Sequence, residues 1–130
     1  MATYLGTTIN ESPTIILTAG EDIEKAQGKA VKIINGEIVA ATAGVNAIGV
    51  IPLSEDETIK KGTEVTIQIK DIGAWVAGGK IAVGDELTAD ANGHAVKAAT
   101  GNFISAIAMT AAEEAGIIIR AQFVKAGYKA

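Results

Sequence analysis

The chain has 130 residues, of which 48% are hydrophobic and 20% charged, with a formal net charge of −4 and no cysteine. That is a single-domain length, able to bury a core without covalent staples, and the composition is too apolar for a disordered chain. Without cysteine there is no disulfide framework, Cys-ligated zinc, iron–sulfur cluster or thiol nucleophile. The basic residues are scattered singly apart from Lys60-Lys61, so no stripe tracks a phosphate backbone and nucleic acid is not an expected partner. No basic region precedes an apolar run at the N-terminus, and no uninterrupted apolar stretch reaches the roughly 18 residues of a membrane span. A soluble, intracellularly made domain is the expectation. Only 4% of residues are aromatic and 19 are isoleucine, so the core must be aliphatic, and branched aliphatics favour pleated strands.

Residues 1–13 read as an extended N-terminal arm: polar, Thr-rich and without a clear period up to Pro13. Thr3, Tyr4, Leu5 and Ile9 are its candidates for ordering on a partner. Residues 14–130 read as one β domain. Thr14-Ile15-Ile16-Leu17-Thr18 is a strand, and residues 21–27 could form one or two helical turns stopped by Gly28. Ala30-Val31-Lys32-Ile33-Ile34 and Glu37-Ile38-Val39-Ala40 flank Asn35-Gly36, the strongest short-range hairpin signal, because both central residues of that turn need positive φ. Residues 47–53 form a further apolar run, followed by the acidic loop Ser54-Glu55-Asp56-Glu57. Glu64-Val65-Thr66-Ile67-Gln68-Ile69-Lys70 alternates polar and apolar, as in a half-buried antiparallel strand. Ala74-Trp75-Val76-Ala77, Leu87-Thr88, Ala95-Val96-Lys97, residues 103–110 and residues 117–123 complete the strand series. Residues 111–116 read as a turn or a single helical turn. Turn signals at intervals of about 8 to 12 residues point to a small antiparallel β-barrel or sandwich with little helix.

An internal echo accompanies this series. The stretch from Ile34 to Gly44 aligns without a gap on the stretch from Ala91 to Gly101, with five of eleven positions identical. Each copy leads into an apolar run, an acidic loop and a further strand. Two pseudo-repeats, about 29–70 and 85–124 and joined across residues 74–85, would give two similar hairpin-containing halves.

The chemical inventory is sparse. The single histidine, His94, follows Asn92-Gly93 in an expected hairpin turn, where solvation is the expectation, and no spacing suggests a triad with Ser12, Ser54 or Ser105. Glu55-Asp56-Glu57 could meet a hard cation through oxygen but lacks the alternating geometry of a calcium loop, and reads as a solvated acidic loop. Gly78-Gly79 does not lead into a helix, so it is no phosphate cradle. Gly84-Asp85-Glu86-Leu87 has a rhythm also seen in biotinyl and lipoyl carriers, but no lysine stands in a carrier's hairpin-tip context. Trp75, the only tryptophan, reads first as core and next as a subunit-interface residue. No catalytic, cofactor or metal site is expected.

The succession itself is informative. Asn35-Gly36 is followed by Ala47-Ile48-Gly49-Val50, by Gly62-Thr63-Glu64-Val65-Thr66, by Gly84-Asp85-Glu86-Leu87-Thr88 and by a second Asn-Gly unit. Over residues 14–124 this resembles the capsid cement, or head decoration, proteins of tailed bacteriophages. The resemblance implies a structural virion protein with no enzymatic activity and no small-molecule substrate. It implies a homotrimer bound to the major capsid protein on the outer capsid surface, made in the host cytoplasm and stabilising the expanded head. In that setting Thr3, Tyr4, Leu5 and Ile9 of the arm are candidate capsid contacts, and the arm is a candidate for reaching a neighbouring subunit by strand addition. A structural β module of another phage or surface assembly, or an enzyme with carboxylates in an inter-subunit cleft, are the alternatives.

Overall fold

The computed structural model describes residues 12–130. Among these residues there are ten strands and no helix: β1 (Thr14–Thr18), β2 (Ala30–Ile34), β3 (Glu37–Ala40), β4 (Gly49–Val50), β5 (Glu64–Gln68), β6 (Asp71–Val76), β7 (Glu86–Ala89), β8 (Ala95–Lys97), β9 (Phe103–Ala108) and β10 (Ile118–Tyr128). They form two five-stranded antiparallel sheets in a sandwich-like arrangement that does not close into a barrel, with orders β1-β5-β4-β2-β3 and β6-β10-β9-β7-β8. Adding five to each strand number of the first order gives the second. The halves are therefore topological copies, and each sheet is made from one continuous piece of chain.

The repetition reaches beyond the eleven-residue echo. Ala19 donates to the Thr63 carbonyl (2.9 Å) and accepts from Gly62 (2.8 Å), while Ala77 donates to Ile117 (2.8 Å) and accepts from Gly116 (2.8 Å). Ile23 and Ile59 exchange two hydrogen bonds of 2.8 Å, and Ile81 and Ala112 exchange two of 2.9 Å. Ala19-Gly20-x-x-Ile23 thus matches Ala77-Gly78-x-x-Ile81, so residues 74–85 belong to the second unit and do not link two shorter ones. Carried through the strand registers, this places Leu17 with Trp75, Val31 with Leu87, Ile38 with Ala95, Val65 with Ile119, Ile67 with Ala121 and Gln68 with Gln122.

Each half closes a core of its own. The first gathers Ile23, Val31, Ile38, Ile51, Ile59, Val65 and Ile67. The second gathers Trp75, Ile81, Leu87 and Ile119 with many alanines, and extends onto Ala30, Ala41, Ala47 and Val50 of the first half. Trp75 is completely buried, stacked at a tilt 6.5 Å from Phe123. Its Nε1–H donates to the Gly93 carbonyl (3.0 Å), which also accepts the Ala30 N–H (2.8 Å). One carbonyl therefore ties the tryptophan of one half to the backbone of the other.

Several local expectations change. Residues 21–27 form no helix: Ile23 and Ala26 are buried three positions apart, as on a helix face, but Ile23 bridges Ile59 and Lys25 adopts φ 51°. The charges of this stretch serve as caps. Glu21 accepts the Ala40 N–H (3.2 Å), Asp22 accepts the Lys61 N–H (2.8 Å), and Gln27 Nε2 holds the Leu53 and Glu55 carbonyls at 2.9 and 2.8 Å. Residues 111–116 likewise contain no helical turn, because Ala112 bridges Ile81. The apolar run at 47–53 yields only the two-residue β4, while the last strand continues past Phe123 to Tyr128 through a bulge.

The two Asn-Gly turns also differ. Asn35 (φ 52°) and Gly36 (φ 79°) close a two-residue hairpin. Around Asn92-Gly93 the loop is longer: Ala89 pairs with Ala95, and the Asp90 carboxylate accepts the Asn92 and His94 N–H groups at 2.8 and 2.9 Å.

Candidate functional site

Among the described residues no pocket gathers the titratable side chains. His94 is half-buried, less exposed than a turn position suggests, and its backbone is pinned by Asp90. Ser105 is buried within β9, whereas Ser12 and Ser54 are exposed. Among the described residues no group of three or more His, Asp or Glu side chains could hold a metal ion. The acidic loop keeps Asp56 and Glu57 in solvent while its backbone is anchored by Gln27 and by the Ala26 N–H on Glu57. The space between the halves, lined by Ala30, Val50, Trp75, Ser105, Phe123 and Lys125, is about 10 Å³, at most the room of one water. Partial burial holds the Lys125 ammonium below its ordinary pKa of 10.5. It sits at φ 48° in the β10 bulge. Among the described residues two surface ion pairs form, Lys129 with Glu86 (2.6 Å) and Lys97 with Asp85 (3.9 Å).

What the chain does present is surface, and the two halves differ there. Paired residues of adjacent strands share a sheet face. The outward positions of β1 and β5 are Thr14, Ile16, Thr18, Glu64, Thr66 and Gln68. Their counterparts on β6 and β10 are Ile72, Ala74, Val76, Ile118, Arg120 and Gln122. Ile72 and Ile118 are 52% and 53% exposed. At the adjoining turn Lys61-Gly62-Thr63 is replaced by Ala115-Gly116-Ile117, so the first half's face is polar around a single exposed aliphatic, Ile16 (62%), whereas the second carries several aliphatics around Arg120 and Gln122. A depression of about 260 Å³ lined by Ile72, Gly73, Ala74 and Arg120 opens on the apolar side. No sequence pattern singled out this face, because its residues alternate with core residues in two strands far apart in the chain.

The expected contact residues Thr3, Tyr4, Leu5 and Ile9 lie outside the described residues. Trp75 keeps no exposed surface, in line with the core reading. A neighbouring subunit would find no part of its side chain to touch.

An exposed surface on a duplicated all-β frame accords with what the comparisons found. The phage cement protein family model matches residues 9–123. The chain belongs to that family. No curated protein matches the sequence. Among solved structures, the head fiber gp8.5 N base in bacteriophage phi29 has a similar fold, at 19% identity and a TM-score of 0.66, covering 90% of this chain and 98% of that one. As a phage cement protein the chain has a structural, capsid-associated role.

Proposed function

We propose that this cement protein is a non-enzymatic decoration protein that binds the outer surface of the major capsid protein lattice and stabilises the expanded phage head. The family match over residues 9–123 carries this reading. It acts as a homotrimer without cofactor, small-molecule substrate, nucleic acid or membrane, so that many modest contacts repeated by symmetry replace one strong site. The N-terminal arm contributes Thr3, Tyr4, Leu5 and Ile9 to the capsid contact. Its base is fixed where the Ile69 N–H donates to the Pro13 carbonyl (2.8 Å), beside the start of β6. The test is sedimentation of the protein alone and with expanded, undecorated heads of its phage. Saturable co-sedimentation in a fixed ratio, with a raised melting temperature of the heads, is the expected result. Protein left in the supernatant with unchanged heads overturns the reading.

A further inference from the structure

The apolar face of the second half borders an unpaired sheet edge. β6 lies at one end of its sheet, with β10 as its only neighbour. The Val76 N–H points away from β10 and is taken by the Gly28 carbonyl at 2.9 Å. In an antiparallel ladder alternate residues turn their backbone groups to the same side, so Ile72 and Ala74 turn theirs to that outer edge. The Ile72 carbonyl is held by Gln68 Nε2 at 3.0 Å. The Ala74 N–H and carbonyl meet no partner among the described residues.

Arg120, the only arginine in the chain, is the Cα partner of Ala74. Among the described residues the ion pairs are those of Lys97 and Lys129, so no carboxylate engages its guanidinium. An exposed arginine ringed by aliphatic side chains is the composition of an interface centre, where a desolvated carboxylate partner adds both affinity and orientation. The first half supplies an internal contrast: Thr66 stands where Arg120 does, and Thr18 and Glu64 stand where Val76 and Ile118 do. A free edge flanked by exposed aliphatics is also an aggregation hazard that native proteins ordinarily blunt with charge or cover.

We propose that this edge and face take up an extended segment of the major capsid protein as an added strand, with a carboxylate of that segment on Arg120 and apolar side chains over Ile72 and Ile118. The inference rests on the cement reading above and names a second contact besides the arm. A second copy is the poorer occupant, because two such faces meeting would oppose Arg120 to Arg120.

The test compares binding of the full-length protein and three variants to expanded, undecorated heads, with the mass and melting temperature of each free variant measured in parallel. Arg120→Glu is expected to weaken binding about tenfold or more. Ala74→Pro, which removes only an outward N–H and is tolerated at a sheet edge, is expected to weaken it as well. Thr66→Glu, at the equivalent site of the first half, should bind like the parent. Hydrogen exchange at the Ala74 amide should be fast in the free protein and slowed on heads. Should Ala74→Pro fail to fold, Arg120→Glu and the exchange measurement decide. Parent binding with undiminished binding by Arg120→Glu and no slowing at Ala74 overturns the inference while leaving the cement reading intact. No binding by the parent overturns both. A change in the free protein's mass on Arg120→Glu would assign the face to a second copy. Exchange at Ala74 that is already slow, and becomes fast when residues 1–11 are removed, would assign it to the chain's own arm. Either result overturns the proposal.

Discussion

The two halves share a strand order and a hydrogen-bond plan but fill them differently. The first half packs isoleucine at positions 38, 51, 59 and 67; the second has alanine at the matching positions 95, 108, 112 and 121. Trp75, standing where the first half has Leu17, and the alanines and Val50 donated across the junction take up the volume that those alanines leave. The lesson is that the backbone ladder, with its few obligatory turns, is what the duplication preserves, while core volume is conserved as a sum and not position by position. The second core depends on one large side chain; the first spreads the same task over many of medium size.

Trp75→Ala should strike that dependence hardest, with a loss of about 3–5 kcal/mol in denaturant unfolding. Leu17→Ala, at the half-buried equivalent, should lose only about 2 kcal/mol. Equal losses would mean that the two cores are not organised differently. Exchanging core residues between the halves sharpens the point: Ile67→Ala opens a cavity at a cost of about 2–5 kcal/mol, whereas Ala121→Ile overfills the second core at about 1–3 kcal/mol. A stabilising Ala121→Ile would show that Trp75 leaves room.

The Asn-Gly turns separate next. At Gly36 (φ 79°) nothing lies within 4 Å of an added Cβ, so Gly36→Ala should cost only the left-handed strain, about 1–2 kcal/mol. At Gly93 (φ 77°) the Cβ would meet Lys29 Cγ at 2.7 Å and the Ala30 carbonyl at 2.8 Å. Gly93→Ala should therefore add about 1–3 kcal/mol of overpacking, read as a lower melting temperature than that of Gly36→Ala.

The smallest effect concerns Lys125. Its folded pKa lies below the ordinary value of 10.5, so folding is disfavoured by its charge at neutral pH and recovers as pH rises from the folded pKa toward the unfolded one. Lys125→Met should remove that alkaline gain, and melting curves for parent and variant should converge as pH approaches the ordinary lysine value. A constant gap across pH would show that the ammonium is fully solvated.

Much of the frame was legible in the chain. Asn35-Gly36 marked a hairpin because few other pairs tolerate two positive φ values, and the strict alternation at 64–70 marked β5. The all-β class and the family followed from the order of such signals. The full length of the repeat is hidden in the sequence because its outer part rests on Ala-Gly-x-x-Ile alone, with Leu17 and Trp75 too dissimilar to align. A short helix at 21–27 is not formed because Ile23 and Ala26, three positions apart, are buried by an irregular loop that dips twice into the core. The candidate face was illegible because its aliphatic residues are adjacent only after β6 pairs with β10, some forty residues later in the chain. Pairing across such distances leaves no mark in local periodicity.

Each sheet draws its strands from one uninterrupted half of the chain, which has a consequence for synthesis. By the time residue 71 emerges from the ribosome, every ladder of the first sheet has its partner strand. The buried surface still waiting for the second half is centred on Ala30, Ala41, Ala47 and Val50, with Val45 beside them, mostly small side chains. A nascent chain can hold that small apolar patch open with little to attract a neighbour on the same message.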